Sequence, residues 1–285
     1  MATLVCFHAH PDDESIATSG TMAKAAAAGH RVVLVCATRG ELGEPVDGVL
    51  EEGEQLWERR VRELHRSAEV IGAERVEILG YRDSGMMGEP TNDDPECFWQ
   101  ANVEEAAERL ATILRDVGCD VLTHYDDHGN YGHPDHIQVH RVGTRAAELA
   151  GTPSVFEATM NRDAILRGIR ERAEEFAALE AEGRGPGIDE DTDMGSPETV
   201  ITHAIDVSAF VDVKRRSMQV HESQISPEDF FLAMPLDGFA SAFGTEWYIA
   251  VGAARPADVP FADDLFTPVP AGFSTVSAGT KTGDG

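Results

Sequence analysis

Short, nearly continuous apolar runs alternate with longer amphipathic stretches through the first half of the chain. The apolar runs have the length of buried strands, and they lie at residues 4–7, 32–37, 76–79, 120–123 and 154–158. The stretches between them carry apolar residues at helical spacing, which predicts helices at residues 21–28, 54–71, 103–117 and 135–149. This alternation predicts an α/β fold in which helices cover both faces of a mostly parallel sheet.

Residues at the predicted helix ends agree with these boundaries. Gly29 and Gly72 stand where the first two helices stop, as glycine often does at a helix C-terminus. Asn102 precedes the third helix, and Glu105 follows three residues later, which resembles a capping box. These signals support the predicted ends of the helices.

Beyond Asn161 the alternation becomes irregular. We expect a charged helix at residues 163–181, a flexible acidic loop at 183–197, a strand at 199–205, a helix at 211–220 and a last strand at 247–251. The sequence thus predicts one domain over residues 1–253. A tail at 256–285 follows, and its last residues are expected to be disordered because they are rich in small and polar residues.

Charge and cysteine content narrow the functional class. Among the 285 residues, 51 are Asp or Glu and 23 are Lys or Arg, so the net charge is −28 and nucleic-acid binding is not expected. No apolar run reaches the roughly 20 residues that span a bilayer, and the N-terminus lacks a secretory signal. We therefore expect a cytoplasmic protein that does not bind membranes, with its four cysteines present as packed free thiols.

Two polar segments follow the first and fourth predicted strands. Residues 8–15 and 124–136 are dense in histidine and aspartate. Ligands of an open parallel sheet bind outside the carboxyl ends of the strands, so both segments are expected on the same rim. A fold does not need so many titratable groups in one place, and burying them unpaired is unfavourable. The two segments are therefore the candidate functional site.

The residue types in these segments are suited to a catalytic metal site. His10, Asp13 and His136 would supply two imidazoles and one carboxylate, which leaves positions for water and substrate on a zinc ion. Such an ion lowers the pKa of its bound water and polarises a carbonyl. Asp12, adjacent but not a ligand, would accept the proton of that water. The same ligand types also fit Fe²⁺.

Simpler interpretations of these residues remain open. His133 and His136 are also compatible with the first turn of a helix without a ligand role, and Asp135 with a favourable charge at that helix N-terminus. His136 and His140 lie four residues apart, so a metal pair on one helix face is an alternative. Outside the ligand set, packing is the expected role of His8, and hydrogen bonding within the loop is the expected role of Glu14.

Two motifs carry a resemblance to a known family. The run His10-Pro11-Asp12-Asp13-Glu14 after a first strand, with His133-Pro134-Asp135-His136 later, resembles the PIG-L/LmbE-like de-N-acetylases. The resemblance implies a Rossmann-like fold, zinc on the residues that match His10, Asp13 and His136, and a general base at Asp12. It further implies that His133 protonates the leaving amine or supports the tetrahedral intermediate, and that Tyr131 acts on the developing oxyanion.

The resemblance extends to the mycothiol branch of that family, which includes an N-acetylglucosaminyl-inositol deacetylase and a mycothiol S-conjugate amidase. Residues 81–86 are similar to the segment that carries an inositol-binding aspartate there, which implies this role for Asp83. Arg60 lies near the position of an inositol-binding arginine, although a surface charge on the helix is the alternative. His221 begins a segment that resembles a late histidine-containing segment of the family, to which we assign no role.

Together these features predict a metal-dependent hydrolase, using zinc or Fe²⁺, that removes an N-acyl group, expected to be acetyl, from a small amino-sugar substrate. One alternative is an amidase of the S-conjugate type, which cuts a bulkier amide. The other is a non-catalytic metal-binding or ligand-binding module. Asp12 argues against the module, because metal ligation does not require it.

Overall fold

The computed structural model describes residues 1–173, 181, 192 and 194–276. Part of the predicted helix at 163–181, most of the predicted acidic loop at 183–197 and the end of the predicted tail lie outside the described residues. In the part of the chain that is described, no helix is long and apolar enough to cross a membrane. All four cysteines are buried and free, as predicted.

A seven-stranded sheet forms the centre of the molecule. In sheet order its strands are β3 (Arg75–Ile78), β2 (Arg31–Cys36), β1 (Thr3–His8), β4 (Val121–Tyr125), β5 (Ser154–Thr159), β7 (Thr245–Ala250) and β6 (His203–Asp206). Strands β1 to β5 are parallel, while β7 runs antiparallel to both β5 and β6. A separate two-stranded pair joins β8 (Ala253–Ala254) to β9 (Ser274–Thr275). The predicted α/β, Rossmann-like class with a mostly parallel sheet is confirmed.

Helices pack on the sheet in two groups. The helices are α1 (Asp13–Ala17), α2 (Ser19–Ala27), α3 (Leu56–Ile71), α4 (Val103–Val117), α5 (Gly129–Gly132), α6 (Pro134–Ala150), α7 (Arg162–Glu171), α8 (Val211–Val220), α9 (Phe230–Ala233) and α10 (Leu236–Phe243). Helices α2, α3 and α8 contact one another, and α4 contacts α6. All residues of β1 are buried, so helices cover both faces of the central strand.

The two polar segments meet because of the strand order. β1 pairs with β2 on one side and with β4 on the other. The connections that follow β1 and β4 therefore run in opposite directions along the sheet. A crevice opens between them, outside the carboxyl ends of these two strands. The loop after β1 and the segment after β4 line this crevice, as the sequence predicts.

The structure differs from the sequence prediction mainly in short elements. Helices α1, α5 and α9 have only four or five residues, which is too short for a helical period to show in the sequence. Asn102 caps α4 by accepting a hydrogen bond from the Glu105 amide at 3.2 Å. The first part of the predicted tail is packed, since Leu265 is buried in the core and the Phe266 ring stacks on His30 at 3.9 Å.

Candidate active site

Three of the predicted metal ligands lie together in the crevice. The loop after β1 supplies His10 and Asp13, and the first turn of α6 supplies His136. Asp13 lies between the two imidazoles, with Oδ2 3.5 Å from His10 Nδ1 and Oδ1 3.3 Å from His136 Nε2. The three potential ligand atoms all lie within 4.8 Å of one another. The structure therefore brings together two imidazoles and one carboxylate from segments far apart in sequence.

The charges of this cluster suit a bound cation. Burial lowers the pKa of His10, but the carboxylates of Asp83 and Asp13 outweigh it and raise this pKa well above its usual range. Burial raises the pKa of Asp13, but His136 and His10 outweigh it and hold this pKa well below its usual range. The carboxylates around His10 thus favour positive charge in the crevice, which a divalent ion would also supply.

A carboxylate beyond the cluster orients His10. Asp135, fully buried in the first turn of α6, places Oδ2 3.2 Å from His10 Nε2. Ser84 donates to the same carboxylate through its amide at 3.0 Å and through its hydroxyl. With Nε2 bonded to Asp135, the Nδ1 atom of His10 lies on the side of Asp13 and is the nitrogen that would bind a metal, the arrangement common for metal-binding histidines. From the sequence, Asp135 is expected only as a favourable charge at the helix N-terminus, and its contact with His10 is not predicted.

His133 belongs to a second possible ligand group, formed with His10 and Asp83. However, His133 Nδ1 accepts a hydrogen bond from the Asp135 amide at 3.1 Å. A neutral imidazole has one nitrogen lone pair, and this bond uses it. Burial, with the charges of His10 and His136, lowers the pKa of His133 to about 3. His133 is therefore a neutral ring with its proton on Nε2, suited to donate a hydrogen bond rather than to bind a metal.

The group formed by His10, Asp13 and His136 thus fits a divalent ion better than the second group. His136 has no such backbone bond: its Nε2 faces Asp13 and has only a long contact of 3.4 Å with the Tyr131 hydroxyl, and its Nδ1 is buried without a hydrogen-bond partner among the described residues. Neither group of potential ligands among the described residues includes His140, whose Nδ1 lies 3.1 Å from the carbonyl oxygen of Tyr125, so the geometry does not favour the alternative pair on one helix face. Two nitrogen donors and one carboxylate suit Zn²⁺ or Fe²⁺.

Asp12 lies beside the cluster in an unusual backbone conformation. Its φ is 119°, one of two positive values among the described residues other than glycine. Its Oδ2 lies 3.1 Å from Arg60 Nη2. Burial and the charge of Asp13 raise the pKa of Asp12, and Arg60 opposes this effect. A carboxylate with a raised pKa is a stronger base, which suits proton transfer.

Arg60 lies behind Asp12 and is only 3% exposed. Its guanidinium donates to the carbonyl oxygens of Pro11 at 2.7 Å and Gly40 at 2.8 Å. Gly40 has φ +64°, and a Cβ there would collide with the guanidinium. These contacts fix the arginine against the loop, so the alternative of a surface charge is wrong.

Tyr131 stands at the mouth of the crevice and is 46% exposed. Its hydroxyl lies 3.4 Å from His136 Nε2. Desolvation of the hydroxyl and the charges of Asp13 and Asp12 raise the pKa of the phenol, which therefore stays a proton donor. The turn that carries it needs Gly129, because a Cβ there would approach the His136 Cβ to 2.6 Å.

Asp83 lies at the edge of the same cluster and is 7% exposed. Its Oδ1 accepts from the Gly85 amide at 2.9 Å and lies 3.7 Å from His10 Nε2, while Oδ2 accepts from the Leu42 amide at 3.2 Å. Burial raises the pKa of Asp83, but His10 and the two amides outweigh it and lower this pKa. Asp83 is therefore an ionised carboxylate with lone pairs left for another donor.

His8 and Glu14 have the supporting roles that the sequence predicts. His8 is buried, with Nδ1 2.7 Å from the Tyr125 hydroxyl and Nε2 2.8 Å from the Thr18 hydroxyl. Glu14 Oε2 accepts from the Asp12 amide at 3.0 Å. His221 Nε2 lies 2.6 Å from Glu14 Oε1, a contact that no pattern in the sequence predicts.

The family described as PIG-L, GlcNAc-PI de-N-acetylase, matches residues 5–147, a span that contains all eight predicted site residues. The chain belongs to the PIG-L family. A PIG-L relative from Acidothermus cellulolyticus, named 1D-myo-inositol 2-acetamido-2-deoxy-alpha-D-glucopyranoside deacetylase, is 41% identical over 97% of each chain. The resemblance drawn from the two motifs is confirmed.

Solved structures share the fold at low identity. The N,N'-diacetylchitobiose deacetylase of Pyrococcus horikoshii aligns with a TM-score of 0.54 and 21% identity, over 87% of this chain and 83% of the other. The 4-carboxy-2-hydroxymuconate hydratase of Pseudomonas putida aligns with a TM-score of 0.57 and 18% identity, over 91% of this chain and 100% of the other. Because a hydratase shares the PIG-L fold, the fold alone does not identify the reaction.

Proposed function

We propose that this PIG-L protein is a metal-dependent N-deacetylase that acts on a glucosaminyl substrate. The observation that carries the proposal is the cluster of His10, Asp13 and His136 with Asp12, a carboxylate outside the ligand group, beside it. Those three side chains would hold Zn²⁺ or Fe²⁺. When bound, such an ion acidifies water and polarises the amide carbonyl.

The residues around the cluster transfer the proton and stabilise the developing negative charge. Asp12 accepts the proton of the attacking water, with its Oδ2 held by Arg60. Water adds to the acyl carbon as Asp12 takes its proton, and Asp12 then gives this proton to the nitrogen as the carbon–nitrogen bond breaks. Acetic acid and the amine leave, and in water they become acetate and an ammonium ion. His133 donates from Nε2 and Tyr131 from its hydroxyl toward the oxygen on which negative charge develops. Because His133 is neutral, it is better suited to donate a hydrogen bond to the tetrahedral intermediate than to act as an imidazolium acid that protonates the leaving amine.

For the substrate, we propose N-acetylglucosaminyl-inositol. The name of the 41% identical relative supports this choice, as does the position of Asp83 3.7 Å from His10. An ionised carboxylate at the edge of the crevice accepts hydrogen bonds from neighbouring hydroxyls of a polyol. The contacts of Arg60 with Asp12, Pro11 and Gly40 support a role in holding the loop rather than in binding inositol.

Amine release from a panel of substrates tests the proposal. The panel contains N-acetylglucosaminyl-inositol, free N-acetylglucosamine, N,N'-diacetylchitobiose and a glucosaminyl-inositol with a bulky acyl group, each with and without added metal. We expect the highest kcat/KM for the first compound. A preference for the bulky amide indicates an amidase of the S-conjugate type. No amine release from any member, with metal bound, indicates a non-catalytic module.

Replacing Asp83 is expected to reduce the preference for the inositol conjugate. Asp83→Ala removes an acceptor for polyol hydroxyls. Each lost hydrogen bond should weaken the binding of the transition state by about 1–3 kcal/mol. The ratio of kcat/KM for the conjugate to that for free N-acetylglucosamine should fall accordingly, while hydrolysis of the free sugar stays nearly unchanged. Asp83→Asn, which keeps the shape and one acceptor oxygen, serves as the matched variant. An unchanged ratio in Asp83→Ala would show that Asp83 does not select the inositol.

A further inference from the structure

The backbone of Asp12 needs support from its surroundings. A φ of 119° is a conformation that side-chain-bearing residues rarely adopt, and it persists only where neighbouring groups enforce it. The Asp12 amide donates to Glu14 Oε2 at 3.0 Å, and its carbonyl accepts from the Ser15 hydroxyl at 2.7 Å. These bonds set the direction in which the Asp12 side chain leaves the loop.

Glu14 is held in turn by His221, which lies 207 positions later in the sequence. Glu14 is fully buried, and its Oε1 accepts from His221 Nε2 at 2.6 Å and from the Ser67 hydroxyl at 2.5 Å. One oxygen of the Glu14 carboxylate thus binds the Asp12 backbone, and the other binds His221.

Among the described residues, the bond to Glu14 is the only hydrogen bond of the His221 side chain. His221 follows directly after α8, is fully buried, and its Nδ1 has no hydrogen-bond partner among the described residues. Its helix packs on α1, which begins at Asp13, and on α3, which carries Arg60. The segment lies beyond residues 5–147, the span that the family match covers.

We propose that His221 is a positioning residue which, through Glu14, fixes the orientation of Asp12. The inference rests on the proposed function, because it takes Asp12 as the base. Losing the imidazole frees the Glu14 carboxylate to rotate, and the Asp12 backbone then loses the acceptor that holds it. The metal ligands keep their own contacts, since none of the hydrogen bonds of His221 reaches His10, Asp13 or His136.

The first test is the kinetics of His221→Ala with both N-acetylglucosaminyl-inositol and free N-acetylglucosamine. We expect kcat to fall about 10–100-fold for both substrates, as when a supporting hydrogen bond to an active site is removed. KM and the metal content should stay near those of the parent protein. His221→Gln, which can still donate to Glu14, should recover most of kcat and provides a second variant if His221→Ala does not fold.

A matched control separates positioning from a general loss of stability. Met218 is fully buried on α8, and only its backbone carbonyl, which Met218→Ala keeps, bonds to His221. Met218→Ala should lower Tm without lowering the kcat of the folded, metal-loaded protein. An undiminished kcat in His221→Ala, or a loss of its metal, overturns the inference.

A double-mutant cycle tests whether His221 acts through Asp12. If it does, adding His221→Ala to Asp12→Asn should change kcat by no more than about twofold, the error expected for a cycle. Losses that multiply overturn the inference, because His221 would then act elsewhere. A loss in Asp12→Asn with none in His221→Ala overturns the inference alone. No loss in Asp12→Asn overturns the proposed base as well.

Discussion

Replacing Asp12 should leave the bound metal in place while kcat falls about 10²–10⁴-fold, the usual effect of removing a general base. Replacing Asp13 should remove both the metal and the activity. The two residues are neighbours of the same type, but Asp13 lies between His10 and His136 whereas Asp12 faces Arg60. Metal content per chain and kcat, measured on the same preparations of Asp12→Ala and Asp13→Ala, separate the two roles.

The choice of substitution matters because Asp12 has a positive φ. Asparagine tolerates such a backbone better than alanine, so Asp12→Asn removes the base with less disturbance of the loop. We expect Asp12→Asn to lose nearly as much kcat as Asp12→Ala. Asp127→Ala, at an exposed carboxylate after β4, should keep both metal and rate. Equal metal loss in the Asp12 and Asp13 variants would contradict the division of roles.

Local patterns in the sequence predict the framework of the site. Nearly continuous apolar runs predict buried parallel strands, and residues directly after such strands lie at one edge of the sheet. For this reason His10 and His136, 126 positions apart in sequence, are correctly predicted to meet. The two motifs also predict the family. They carry the residue types of the PIG-L motifs, in the same order, after the first and fourth strands.

Contacts between distant segments are not visible in such patterns. Glu14 and His221 are 207 positions apart, and no periodicity or spacing links them. The orientation of a long side chain is equally invisible, so the sequence places Arg60 near the site but does not show that it turns toward Asp12. Likewise, Leu265 lies in a stretch with the composition of a tail, yet it is buried in the core. Tertiary packing decides each of these cases.

Removing the metal should abolish hydrolysis. Prolonged chelation is expected to leave no measurable amine release, and adding Zn²⁺ or Fe²⁺ should restore it, because without the ion neither the water nor the carbonyl is activated. The chelated protein should keep its fold, since the hydrophobic core does not depend on the site. Full activity in demonstrably metal-free protein would refute the metal-dependent mechanism.

Substituting a ligand should have the same effect without a chelator. His136→Ala should bind well below one metal per chain, because one of two imidazoles is lost from the cluster. His140→Ala is the matched control, since His140 lies one turn further along α6 and contacts the Tyr125 carbonyl instead of the cluster. It should retain its metal and most of its activity. Comparable metal loss in both variants would favour a pair on one helix face, and would show that His10, Asp13 and His136 are not the ligand set.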